Sequence, residues 1–113
     1  MTKRRSARDS TGLVLRALSE PRRVAILKVI RNRELRAGQI ADNFNTTRSA
    51  ISQHLRVLIK AGLLIERRRG TSRLYTLRAR GFARARALLD SFWEDGLARL
   101  KAEAEKQARS GLG

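Results

Sequence analysis

The sequence predicts a mainly α-helical domain with one small β-hairpin, and three observations carry that prediction. Apolar residues recur at spacings of three and four along most of the chain, as they do in helices that pack by one face. One stretch, residues 63–78, departs from that rhythm: "LLIERRR" and "RLYTLR" flank the turn residues "GTS", the pattern of two short strands. The length of 113 residues suits one ordinary core and is too small for two.

The elements follow in order. Residues 1–10 begin with "MTKRRSAR", which has basic residues, no acid and little to bury, and read as a flexible basic N-terminal arm. Leu13, Val14, Ala17 and Leu18 suggest a short first helix that ends at "SEP". There Ser19 is placed to cap a second helix with Pro21 in its first turn, and Val24, Ile26, Leu27 and Ile30 carry that helix to Arg31 or Asn32. "RAGQIADNFN" offers Ile40, Ala41 and Phe44 as the inner face of a helix of about two turns.

Thr46 and Thr47 then supply a cap for a longer helix from Arg48 to Ala61, which Gly62 stops because a left-handed C-terminal cap suits a residue without a side chain. After the hairpin the chain turns helical again from Phe82, with Ala85, Leu89, Phe92, Trp93, Leu97, Leu100 and Ala104 three or four apart. The folded domain is therefore expected over residues 11–107, with 108–113 as a flexible C-terminal tail.

Charge decides the class of partner. Lys and Arg number 26 against 10 Asp and Glu, a formal net charge of +16 with a pI near 11.9. Such a surface attracts polyanions, nucleic acid first and an anionic membrane second. No window approaches the roughly 18 apolar residues of a membrane span, and no apolar signal-peptide core follows the basic start. These features predict a soluble, cytoplasmic, nucleoid-associated protein with no membrane partner. Absence of Cys excludes disulfides and thiolate metal sites, and the sole His, His54, excludes a histidine-rich one, so neither cofactor nor metal is expected.

A short helix, a turn, a Thr-capped helix and a basic hairpin, in that order, make a winged helix-turn-helix. At about 100° per residue, Ile51, Leu55 and Leu58 of the capped helix fall on one side. Ser49, Ser52, Gln53, Arg56 and Lys60 form a contiguous arc on the other. In a DNA major groove Arg pairs with guanine, Gln with adenine and Ser with either. A merely solvated helix face is the bland alternative, and two features oppose it. Thr47 and the helix N-terminus present N–H groups to a phosphate, and Glu66 is the one acid from Arg48 to Arg86, a stretch otherwise rich in Arg. Arg67, Arg68, Arg69 and Arg73 flank the hairpin tip, where Arg suits a narrow minor groove, and Thr71 and Ser72 can meet phosphate oxygens.

The stretches "ALSEPRRVAILKVI", "AGQIADNF", "TTRSAISQHLRVLIKAGLL" and "RRRGTSRLYTL" closely resemble the ArsR family of bacterial winged-helix repressors. The resemblance runs from about Leu13 to Leu100 and is most specific in "SQHLRVLIKAGLL". It implies a homodimer on a palindromic double-stranded operator, with the recognition helix in the major groove and the wing at the backbone or minor groove. By position it makes Arg48, Ser49, Ser52 and Gln53 base-edge candidates and Arg56 a phosphate contact. His54 occupies a position often near a phosphate, although a structural histidine fits its place beside the core equally well. Metal-sensing members use Cys before the turn or His and carboxylates in the last helix. Here the stretch before the turn has no Cys and the last helix no His, and Asp90, Glu94 and Asp95 read better as surface charge than as a weak hard-cation site. The chain thus resembles the branch that does not sense transition metals. Thr46 and Ser49 also replace an apolar residue and a Pro common in the family.

The last helix differs in character, holding Asp90, Glu94, Asp95, Glu103 and Glu105 as well as Phe92 and Trp93. Its stripe exceeds what one small core needs. Leu89, Phe92, Trp93, Leu97 and Leu100, with Leu13, Val14 and Ala17 of the first helix, are therefore assigned to a homodimer interface. The family resemblance implies the same. Gly96, which costs a helix roughly 1 kcal/mol, would let a partner approach closely.

The leading function is a sequence-specific, dimeric DNA-binding transcriptional regulator, with repression implied by the resemblance. The alternative is a nucleoid-associated or RNA-binding structural protein that uses charge without sequence preference. An enzyme is excluded by the lack of a nucleophile and base pair, of a glycine-rich phosphate loop and of HExxH or GxSxG patterns. No diagnostic pocket for an organic effector is legible.

Overall fold

The structure, a computed structural model, describes residues 11–112, so the predicted basic arm at 1–10 lies outside the described residues. The chain divides after Ala83 into two units. The first contains helices α1 (residues 11–18), α2 (Pro21–Ile30), α3 (Ala37–Ala41) and α4 (Arg48–Lys60). It also contains strands β1 (Leu35–Arg36), β2 (Leu64–Arg69) and β3 (Ser72–Leu77), and a 3-10 turn at Ala79–Phe82. The second is one helix, α5 (Ala83–Leu112). No described helix is long and apolar enough to cross a membrane.

The joint between α1 and α2 is built from polar groups. Ser19 does not cap α2 but turns back, its hydroxyl donating to the Arg16 carbonyl at 2.6 Å. Glu20 is the cap instead, its carboxylate accepting from the Arg23 N–H at 3.0 Å with Pro21 in the first turn. Arg23 in turn donates from Nε to the Ala17 carbonyl at 2.8 Å and from Nη2 to that of Arg16 at 3.1 Å, occupying the free carbonyls at the end of α1.

The core is made by Ile26 and Ile30 of α2, Ile40 of α3, Ile51, Leu55 and Leu58 of α4, and Leu63, all fully buried. Each such side chain gains about 1.5–3 kcal/mol by leaving water. The sheet has order β1-β3-β2, antiparallel throughout, with Leu35 opposite Tyr75 in one pair and Glu66 opposite Tyr75 in the other. A hairpin alone was expected from the sequence. The third strand is two residues long, too short for alternation to show.

Helix α3 is shorter than two turns. The Asn43 side chain donates to the Gln39 carbonyl at 2.9 Å, the acceptor its own N–H would use in a continuing helix. That N–H goes to Ile40 at 3.1 Å and the Phe44 N–H to Ala41 at 3.0 Å, so the chain tightens and turns. Phe44 is half-buried beneath the Arg22 guanidinium, 5.6 Å from the ring centre.

Helix α4 ends as its sequence predicts. Gly62 has φ +79°, the Leu63 N–H reaches back to Leu58 at 3.0 Å and the Gly62 N–H to Ile59 at 2.9 Å, closing a Schellman cap. The 3-10 turn packs on this cap, where a Cβ at position 81 would overlap the Gly62 carbonyl oxygen. Helix α5 continues to Leu112, beyond the domain end expected at residue 107, because Ala, Glu, Lys, Gln and Arg sustain a helix without an apolar stripe.

Candidate nucleic-acid interface

Thr47 sets the start of α4, its Oγ1 accepting from the Ala50 N–H at 3.0 Å. From that start Arg48, Ser49, Ser52, Gln53, Arg56 and Lys60 are all exposed, while Ile51, Leu55 and Leu58 are buried, so the arc drawn from spacing exists as a surface. His54 is half-buried between the two faces.

The wing is a hairpin whose loop is Gly70 and Thr71, with Arg69 opposite Ser72. Gly70 has φ +63° and Thr71 has no positive φ, the pattern of a type II′ turn. Arg67, Arg68, Arg69, Thr71 and Arg73 are exposed and Ser72 half-buried. Direct pairing puts Glu66, Arg68, Arg73 and Tyr75 on one face of the hairpin and Arg67, Arg69, Ser72 and Leu74 on the other.

Helix and wing meet across an open groove of about 780 Å³, lined among others by Arg48 and Ser52 of α4 and Thr71, Ser72 and Arg73 of the wing. Arg36, Gln39 and Asp42, around α3, complete it; spacing gave no notice of them because only the inner face of that helix had been read. Arg36 and Gln39 are joined by an Arg36 N–H bond to Gln39 Oε1 at 2.9 Å. Arg48 lies across α3, its Nη2 3.1 Å from where a Cβ of residue 38 would stand, so Gly38 leaves room for it. Ser52 and Arg56 line a smaller groove of about 240 Å³ with Glu66, Arg73 and Tyr75. Ser49, Gln53 and Lys60 line neither groove and stand on the open helix surface.

Two of the wing cations already have partners. Arg67 Nη2 is 2.8 Å from Glu34 Oε1, and Arg73 Nη1 is 3.1 Å from Glu66 Oε1. Arg68 and Arg69 make no ion pair within 4.0 Å among the described residues. The Tyr75 hydroxyl is pushed above its ordinary value of 10.0, first by burial and then by the Glu66 charge and hydrogen bond, with Arg73 opposing. Among the described residues no three His, Asp or Glu side chains gather as a metal ion would require.

The residues assigned to a dimer interface separate into two groups. Val14 and Ala17 are buried within the single chain, at 2% and 0% exposure, and Leu13 is half-buried. Leu89, Phe92, Trp93, Leu97 and Leu100 of α5 are exposed.

Comparison with known proteins meets this geometry. The model of the arsR family of bacterial regulatory proteins matches residues 20–66, from the cap of α2 to the start of the wing. The HTH-type transcriptional regulator Rv2034 of Mycobacterium tuberculosis is 40% identical over 81 residues, 72% of this chain and 76% of that protein. The chain belongs to the arsR family. This arsR-family chain is also 36% identical to the transcriptional repressor SdpR of Bacillus subtilis over 64 residues, 57% of the chain and 71% of that protein. Its fold matches a homodimeric winged helix-turn-helix DNA-binding domain of Mycobacterium bovis with a TM-score of 0.65 and 27% identity, covering 86% of this chain and 90% of that one. It is a DNA-binding transcriptional regulator with a winged helix-turn-helix and not an enzyme.

Proposed function

We propose that this arsR-family chain acts as a homodimer on a palindromic operator, with α4 reading bases and the wing holding the backbone. The observation that carries the reading is the groove in which Arg48 and Ser52 of the capped helix meet Thr71, Ser72 and Arg73 of the wing. Gln53, Ser49 and Ser52 serve base edges; Arg56, Lys60, Arg68 and Arg69 serve phosphates; His54 stands beside them. Thr47 and the free N–H groups of the first turn of α4 face the backbone.

The dimer is supported by the exposed stripe of α5 and by the homodimeric relative from Mycobacterium bovis. Two recognition helices about 34 Å apart would meet successive major grooves. Similarity to the repressor SdpR supports repression, by occlusion of a promoter in the cytoplasm. With no Cys and one His in the chain, this regulation proceeds without transition-metal sensing.

The test is selection of bound duplexes from a random pool, then titration of the winner and a scrambled control at two salt concentrations. A palindromic winner bound at least about a thousandfold tighter than the control supports the reading. Equal binding of both would make the chain a nucleoid-type protein that uses its charge alone.

A further inference from the structure

From Arg48 to Arg86 Glu66 is the sole acid, and the fold puts it on the face of the wing that shares a groove with α4. Its carboxylate lines the smaller groove with Ser52 and Arg56 of α4, and another of about 280 Å³ with Arg68 and Arg73 of the hairpin. A phosphate backbone held by Arg56 and Arg73 would run past this carboxylate. Glu66 is kept there by position: it stands directly opposite Tyr75 in the strand register.

The Glu66–Arg73 pair is not there to hold the hairpin together. Its Arg is well exposed, and an exposed pair contributes only about 0–1 kcal/mol. Six paired positions of β2 and β3 hold the strands without it. Arg73 can therefore exchange the carboxylate for a phosphate oxygen with no loss of structure, and the two acceptors present similar charge to the guanidinium.

We propose that Glu66 holds DNA affinity down: its carboxylate occupies Arg73 in place of a DNA phosphate, so that any duplex recruiting Arg73 to its backbone must first displace Glu66, which a duplex that α4 holds in register does most readily. On any other duplex the exchange returns little and the wing stays paired with itself. The inference rests on the assignment of α4 to base reading. Non-specific binding is essentially all counterion release, so there Glu66 withholds one contact, while at the operator it subtracts the free energy of the pair that Arg73 gives up and restrains affinity at least as much.

The experiment uses the full chain as wild type, Glu66→Gln, Arg73→Ala and the double variant, titrated with the selected operator and its scrambled control over a range of salt. Glu66→Gln keeps the size of the side chain and removes its charge. It is expected to tighten scrambled binding on the order of threefold and to steepen the salt slope there by about 0.9, the value of one added phosphate contact. Operator affinity should tighten at least as much, with little change in salt slope, because Arg73 already touches the backbone there. The gain should vanish when Arg73 is already Ala.

Weaker operator binding by Glu66→Gln with scrambled binding unchanged would overturn the proposal, because Glu66 would then be orienting Arg73 for the operator. An equal gain with and without Arg73 would also overturn it, as a general charge effect, and so would no change. If the wild type itself preferred no duplex, base reading by α4 would fail and carry this inference with it. Preference in the wild type with no tightening of either duplex in Glu66→Gln would remove this inference alone.

Discussion

In α4 the apolar positions Ile51, Leu55 and Leu58 are buried to 1% exposure or less, whereas in α5 Leu89, Phe92, Trp93 and Leu100 keep between 59% and 68% of their surface. Both helices repeat apolar residues at intervals of three and four, so period alone does not separate them. What separates them is the partner. The apolar side of α4 meets α2, α3 and β2 of the same chain, and its polar side is therefore presented at an angle fixed by the core. The apolar side of α5 is left to water in the single chain, a surface that an assembly would cover.

Substitutions in the two stripes should show the largest contrast. Leu58→Ala removes a fully buried side chain and is expected to destabilise the protein by about 2–5 kcal/mol in chemical denaturation. Leu100→Ala should leave the dilute protomer nearly unchanged and weaken self-association in sedimentation; equal stability losses would break the comparison. Next comes Gly81→Ala, whose methyl would strike the Gly62 carbonyl at the end of α4, a backbone atom that cannot swing aside. A loss of about 1–3 kcal/mol, seen as a lower Tm, is expected from this overpacking.

The two faces of the DNA surface can be told apart in the same way. Gln53→Ala should lose about 1–3 kcal/mol of discrimination at one base pair with non-specific binding largely retained. Arg68→Ala should weaken all duplexes and flatten the salt dependence; if both variants weakened every sequence equally, Gln53 would not be a base reader. Thr47→Ala, which removes the acceptor for the Ala50 N–H, should cost about 1 kcal/mol of stability by thermal melting.

The smallest effect concerns Tyr75, the only tyrosine of the chain. Its folded-state value lies above the unfolded value near 10.0, so its contribution is fully present below that pH. It declines as pH rises toward the folded value, because the unfolded chain gives up the proton first. Ultraviolet titration should show the phenolate forming later in the native protein than after denaturation, and Tyr75→Phe should soften the alkaline loss of stability. Coincident titrations in the two states would contradict the burial of this hydroxyl beside Glu66.

Much of this arrangement is legible in local sequence. Thr47, the spacing of Ile51, Leu55 and Leu58, and Gly62 each act within a turn or two, so α4 could be placed almost to the residue. The rest depends on contacts distant in sequence or on competition between near neighbours. Glu20 takes the cap that Ser19 suits equally well by type, because the Ser19 hydroxyl closes α1 instead. Strand β1 exists only through its pairing with β3, some forty residues on. Val14 and Ala17 look like any small apolar pair until the core surrounds them. The wing arginines read as one basic cluster, and nothing local reveals that Arg67 is held by Glu34 across 33 positions.

Trp93 is the only tryptophan, and it stands 68% exposed on α5 while Tyr75 lies buried beside the recognition helix. The chain therefore carries two optical reporters at separate addresses. Emission from the indole follows whatever comes to lie against α5 and shifts to shorter wavelength as that surface dries, with no label attached. Phenolate absorbance at alkaline pH follows the first unit. Dilution series and alkaline titrations of the DNA-free protein can thus be monitored in different bands on one unmodified sample.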